Sequence, residues 1–96
     1  MNLAELRAHK PEMLAIAKKY GVSNIRVFGS VARGDADETS DVDLLIDMVK
    51  DKGLRDWVRC KAEFEAVLHS KVDMVELPAI VIERMRLRIE SEATPL

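Results

Sequence analysis

Apolar positions recur at helical spacing over residues 3 to 20: Leu3 and Leu6 open a stripe that Met13, Ala17 and Tyr20 continue. Pro11 falls inside that span. Its ring lacks a backbone donor and clashes with the preceding turn, so the pattern predicts a short first turn and then a fresh helix with Pro11 near its first position. Lys18, Lys19 and Gly21 form a helix stop, with cations in the last turn and then a residue that tolerates left-handed backbone. Residues 25 to 28, Ile-Arg-Val-Phe, predict a first strand ending at Gly29. Residues 30 to 36 suit one or two helical turns, capped by Ser30 and ended by Gly34. A polar loop over residues 35 to 40 leads into residues 42 to 48, Val-Asp-Leu-Leu-Ile-Asp-Met, a second strand. Residues 49 to 53 turn the chain. Residues 54 to 69 then predict a helix with Leu54, Trp57, Val58, Phe64 and Leu68 on its buried stripe. Residues 71 to 76 predict a third strand. Pro78 starts a last helix with Ile82, Met85 and Ile89 facing inward, and residues 92 to 96 read as a loose tail.

The full helix between strands two and three predicts a parallel pair with a right-handed crossover. The shorter link between strands one and two suits an antiparallel pair. The expected fold is α/β (α+β): a small, mixed, three-stranded sheet with helices packed on it. With 96 residues, the chain fits a single domain spanning 1–96. A net charge of −2 argues against an extended nucleic-acid surface. No apolar run is long enough to span a membrane. One cysteine, Cys60, and no secretory leader point to a reducing, cytoplasmic setting without disulfides.

Charge is uneven along the chain. Residues 35 to 51 hold seven acids and one base, Lys50. Asp35, Asp37 and Glu38 read as solvated loop acids. Asp41 and Asp43 differ, because strand alternation puts both on one face while Val42, Leu44 and Ile46 take the other. Two carboxylates held together on a sheet repel one another, and nearby bases are few. A divalent cation is the natural compensation, since hard ions such as Mg²⁺ take one or two carboxylates plus substrate phosphates. Asp73 sits mid-strand, where Asp is disfavoured. If strand three lies beside strand two, Asp73 joins the pair; the bland alternative is a rim or turn position. Three such carboxylates suffice for two metals, the arrangement used for in-line displacement at phosphorus.

Gly29 and Ser30 lie where a strand becomes a helix. Such a junction presents backbone N–H groups and a positive helix end to an anion, and Gly29 allows close approach. Arg33, one turn on, adds a charged fork. Alternatively, Ser30 merely caps and Arg33 merely pairs with a loop acid. His9 and His69 lack mutual ligand spacing and read as surface residues. Cys60, Trp57 and Phe64 read as packing residues. Arg84, Arg86 and Arg88 read as a solvated face, and one side of the last helix offers an interface.

The stretch Gly29–Asp43, a Gly-Ser followed after ten residues by Asp-x-Asp, resembles the motif of the DNA polymerase β-like nucleotidyltransferases. More closely, residues 27–34 (VFGSVARG), 40–47 (SDVDLLID) and 71–77 (KVDMVEL) are similar to the minimal nucleotidyltransferase family, in order and over most of the chain. The resemblance implies a metal-dependent nucleotidyltransferase. Asp41 and Asp43 would bind the metals, two Mg²⁺ ions, and Asp73 would be the third catalytic carboxylate. Gly29 and Ser30 would bind the triphosphate of ATP, with Arg33 nearby. It also implies a role as antitoxin, moving AMP from ATP to a tyrosine hydroxyl of an all-helical HEPN toxin, in a homo- or hetero-oligomer. Two other readings stay open: a catalytically silent antitoxin that neutralises its partner by contact, and a nucleotidyltransferase acting on a small molecule or RNA.

Overall fold

In a computed structural model covering residues 1–96, helices α1 (Leu3–Ala8) and α2 (Lys10–Tyr20) meet at His9. Pro11 lies in the first turn of α2, where its missing donor costs no hydrogen bond. Gly21 then ends α2 at φ 74°. The chain continues through strand β1 (Val22–Phe28), helix α3 (Gly29–Arg33), strand β2 (Val42–Met48), helix α4 (Leu54–Leu68) and strand β3 (Val72–Val75). A 3₁₀ turn (Leu77–Ala79), helix α5 (Glu83–Glu92) and a two-residue strand β4 (Thr94–Pro95) complete it.

The sheet order is β3-β2-β1-β4. Strands β1 and β2 are antiparallel and β2 and β3 parallel, as the lengths of the two links require. The fold class is as expected, but the sheet has four strands rather than three. The supposed loose tail is β4, which pairs antiparallel with β1 at Arg26 and Val27. Leu96 then donates its N–H to the Ile25 carbonyl at 3.1 Å and is only 6 % exposed. Arg7 adds a bond to the Pro95 carbonyl at 2.8 Å. Leu96→Ala should therefore destabilise the fold by about 2 kcal/mol, the low end for a buried leucine, as read by urea unfolding.

The main core lies on one face of the sheet. Leu6, Met13 and Ala17 from α1 and α2 and Cys60, Phe64 and Leu68 from α4 pack against Val27, Val42, Leu44, Ile46, Val72 and Met74. The alternation of β2 thus reads correctly at Val42, Leu44 and Ile46. Leu45 and Phe28 are also buried, but outside this cluster and on the face that carries Asp43. Leu54 and Val58 are exposed, not buried as the helical stripe predicted: in the first turns of α4 only Trp57 packs against the core, and Cys60, Phe64 and Leu68 are the buried positions. Ile82 and Met85 are likewise about half exposed, at 53 % and 51 %, and α5 has no buried residue at all. Pro78 belongs to the 3₁₀ turn, and α5 starts only at Glu83.

Strand β1 begins three residues earlier than predicted. Its register shifts between Ser23 and Arg26, so three steps on β1 match two on β2, which is a bulge. Asn24 occupies it at φ 50°, a left-handed conformation that Asn tolerates better than most residues. Asp47 fastens the bulge, accepting from Asn24 Nδ2 at 2.9 Å and Arg26 Nη2 at 3.1 Å.

Candidate active site

The parallel register sets Asp43 directly opposite Asp73, and the antiparallel register sets Asp43 opposite Phe28. Gly29 follows Phe28, so the β1–α3 turn comes down on the Asp43 side chain. Gly29 has φ 71°, and a β-carbon there would overlap the Asp43 carboxylate. Glycine is needed on two grounds: the backbone is left-handed, and the carboxylate fills the space a side chain would take. Ser30 is not the N-cap. Gly29's backbone lets α3 begin one residue earlier, Phe28 precedes the helix without a side-chain cap, and the Ser30 hydroxyl makes no hydrogen bond within the protein. Gly34 ends α3 at φ 84°, as predicted.

Phe28, Gly29, Ser30, Arg33 and Asp43 form one wall of a cleft of about 300 Å³. Met85, Arg88, Ile89 and Glu92 of α5 form the other. These α5 residues were not among the predicted site residues. Nothing local distinguishes them: an Arg and a Glu four apart on an exposed helix look like a solvated ion pair, and only the tertiary fold carries them to Gly29. Arg33 does pair with a loop acid, Asp35, at 3.3 Å through Nε, but its Nη1 also reaches Glu92 at 3.2 Å. Glu92 in turn accepts from Arg88 Nε at 3.4 Å.

The three predicted carboxylates are not equivalent. Asp43 is partly buried, whereas Asp41 and Asp73 are exposed. Asp41 precedes β2 and lines a second cleft, next to Lys71 and His69. All three nevertheless share one field. Burial first, then the charges of Asp73 and Asp41, push the Asp43 carboxyl up to about 6, with Arg33 pulling it back and Glu92 adding to the rise. No three acidic, histidine or cysteine side chains form a ready-made metal cage. A cluster of mutually repelling carboxylates, one of them held partly out of water, nonetheless suits a hard divalent ion that completes its shell from substrate phosphates and water. The donor set therefore fits Mg²⁺ as part of an open site. Two other groups stand apart from it. Glu63, from α4, holds Lys19 at 3.0 Å and Tyr20 by a short hydrogen bond, remote from the cleft. Cys60 is buried, and burial pushes its thiol up to about 12, which leaves it inert at neutral pH.

Residues 12–96 match the family model described as Polymerase beta, Nucleotidyltransferase. The "Putative protein adenylyltransferase MJ0435" of Methanocaldococcus jannaschii is 40% identical over 80 residues, covering 83% of each chain. The "Protein adenylyltransferase MntA" of Thermococcus cleftensis is 41% identical over 70 residues, covering 73% of this chain and 68% of its own. Among solved structures, that of a "putative minimal nucleotidyltransferase" has a TM-score of 0.86 at 40% identity, covering 100% of this chain and 97% of the other. A toxin-antitoxin structure with AMP-PNP shares the fold with a TM-score of 0.73 at 16% identity, covering 90% of this chain and 70% of the other. A toxin-antitoxin MntA-HpeT structure does so at 0.70 and 17%, covering 91% and 70%. No helix here is long and apolar enough to cross a membrane. With its sheet order, its Gly-Ser turn set against Asp43, its Asp73 opposite Asp43 on the next strand, and this span of similarity, the chain belongs to the polymerase β nucleotidyltransferase family, as a minimal nucleotidyltransferase enzyme.

Proposed function

We propose that the protein is a cytoplasmic antitoxin that transfers AMP from ATP to a tyrosine hydroxyl of an all-helical HEPN toxin. The observation that carries this reading is the packing of Gly29 against the Asp43 carboxylate, with Asp73 paired to Asp43 across β2 and β3. That turn sets the backbone of Gly29 and Ser30 in one small cleft with Asp43, and Asp73 lies beside Asp43 on the next strand. The names of the relatives support adenylyl transfer to protein, and the toxin-antitoxin matches support a toxin as partner.

In this reading Gly29 and Ser30 bind the triphosphate through backbone N–H groups and the unpaired Ser30 hydroxyl, with Arg33 beside them. The acceptor oxygen attacks the α-phosphorus. An O–P bond forms, the bond from the α-phosphorus to the bridging oxygen of the β-phosphate breaks, and its electron pair leaves on pyrophosphate. Asp73, exposed beside the reacting centre, takes the hydroxyl proton. Two ions of the Mg²⁺ class, held by Asp41, Asp43 and Asp73, would supply the charge that acidifies the hydroxyl and neutralises the leaving group. The remaining work is positioning, because the cleft is shallow and open to an acceptor from outside.

The test is incubation with α-labelled ATP, Mg²⁺ and an all-helical HEPN toxin. Label should appear on a partner tyrosine and vanish in the Asp41→Ala/Asp43→Ala variant. Undiminished neutralisation of the partner by that variant would instead identify a silent antitoxin acting by contact. Label appearing on RNA or a small molecule, with none on protein, would identify a different acceptor.

A further inference from the structure

The cleft has two cations, one on each wall, and both are tied to a single carboxylate. Glu92 accepts from Arg33 Nη1 at 3.2 Å and from Arg88 Nε at 3.4 Å, and it is itself only 22 % exposed. A lone acid facing a triphosphate would repel it. Flanked by two guanidinium groups, it serves as a brace that leaves the rest of each fork unspent. Arg33 uses Nε on Asp35 and Nη1 on Glu92, so Nη2 makes no bond. Arg88 uses Nε alone, so Nη1 and Nη2 are both uncommitted.

The phosphorus under attack must lie beside Asp43 and Asp73. The remaining two phosphates then extend away from these acids, along the cleft toward positive charge. Within the cleft that charge is Arg33 and Arg88 alone. We propose that Arg88 is a second polyphosphate-binding residue, which clamps the β- and γ-phosphates opposite Arg33 and makes the site select nucleoside triphosphates over monophosphates. This deepens the nucleotidyltransferase reading and rests on it. Charge builds on pyrophosphate as the α–β bridge breaks, so a guanidinium at that position also favours the leaving group.

The experiment is calorimetric titration of ATP and of AMP, each with Mg²⁺, into wild-type protein and Arg88→Gln, with no acceptor present. Arg88 has a side chain 72 % exposed, so the variant should fold, and its melting curve checks that it does. The expected result is ATP affinity lowered about tenfold, the size of one lost charge-assisted contact, with AMP affinity unchanged. Arg88→Lys should recover part of the loss, since it restores the charge without the fork. Equal ATP affinity in wild type and Arg88→Gln would overturn the assignment while leaving the nucleotidyltransferase reading intact. So would an equal loss for ATP and AMP, which would place Arg88 away from the distal phosphates. Wild-type protein that does not bind ATP at all would overturn both.

Discussion

Asp43→Asn should lower nucleotidyl transfer by about 10³-fold, the scale for removing one preorganised electrostatic group from a reacting centre, and should raise the thermal stability of the metal-free protein. The two effects have one cause. Asp43 is pushed up to about 6 from 3.8 by burial, Asp73 and Asp41. Its folded-state value lies above its unfolded one, so between those values the native state binds more protons than the unfolded chain. Stability therefore falls as pH rises from about 4 through 6, and the deficit is fully present at neutral pH. The full linkage figure is about 3 kcal/mol at 1.36 kcal/mol per pH unit. Residual solvent access and local relaxation reduce it to about 1–2 kcal/mol. Melting in EDTA from pH 4 to 8 measures it. The variant's advantage over wild type should open as pH rises across this range, and the two curves should converge at the acid end. A variant that melts below wild type at pH 7, or that still transfers AMP, would show that the acidic pair is not the strained reacting centre described here.

Gly29→Ala should abolish ATP binding and destabilise the fold, by steps that can be separated. A left-handed backbone costs a non-glycine residue about 1–2 kcal/mol. The added methyl also overlaps the Asp43 carboxylate, which must move or be expelled toward Asp73. Only the second effect depends on Asp43. Adding Asp43→Ala should return the overlap component, leaving the backbone component in place, so the two substitutions should be strongly non-additive in chemical denaturation. Strict additivity would mean that Gly29 and Asp43 are not in contact. The nucleotide affinity should stay lost in the double variant, because the turn proposed to bind phosphate is still altered.

Much of this arrangement is legible from single residues. Pro11 places the α1–α2 break, Gly21 and Gly34 place helix ends, and Val42, Leu44 and Ile46 place the core face of β2. The proximity of Asp73 to Asp43 follows from one inference, a parallel pair joined by a helix. The misses share a different origin. The bulge at Asn24 hides the start of β1, because it breaks the two-residue period that marks a strand. Strand β4 has only two residues, one of them proline, and exists because β1 offers an edge. The apolar positions of α5 suggest a buried stripe, yet Met85 and Ile89 face the cleft. Leu54 and Val58 fit a helical period but flank the side of α4 whose Trp57, Cys60, Phe64 and Leu68 meet the core, and stay exposed. In each case the deciding contact comes from a distant segment, which local periodicity cannot supply. The same holds for Arg88 and Glu92, whose neighbour Arg33 is far off in sequence.

Helix α5 closes over the cleft without a single buried residue, and its polar hold on the opposite wall is the Arg33–Glu92–Arg88 bridge. Apolar cores gain strength from kosmotropic salts such as sulfate, whereas exposed ion pairs lose it as the Debye length shrinks to ~3 Å at 1 M. The roof and the body of this molecule thus respond to ionic strength in opposite directions. Concentrated sulfate should loosen this wall of the cleft while the sheet beneath it becomes harder to unfold.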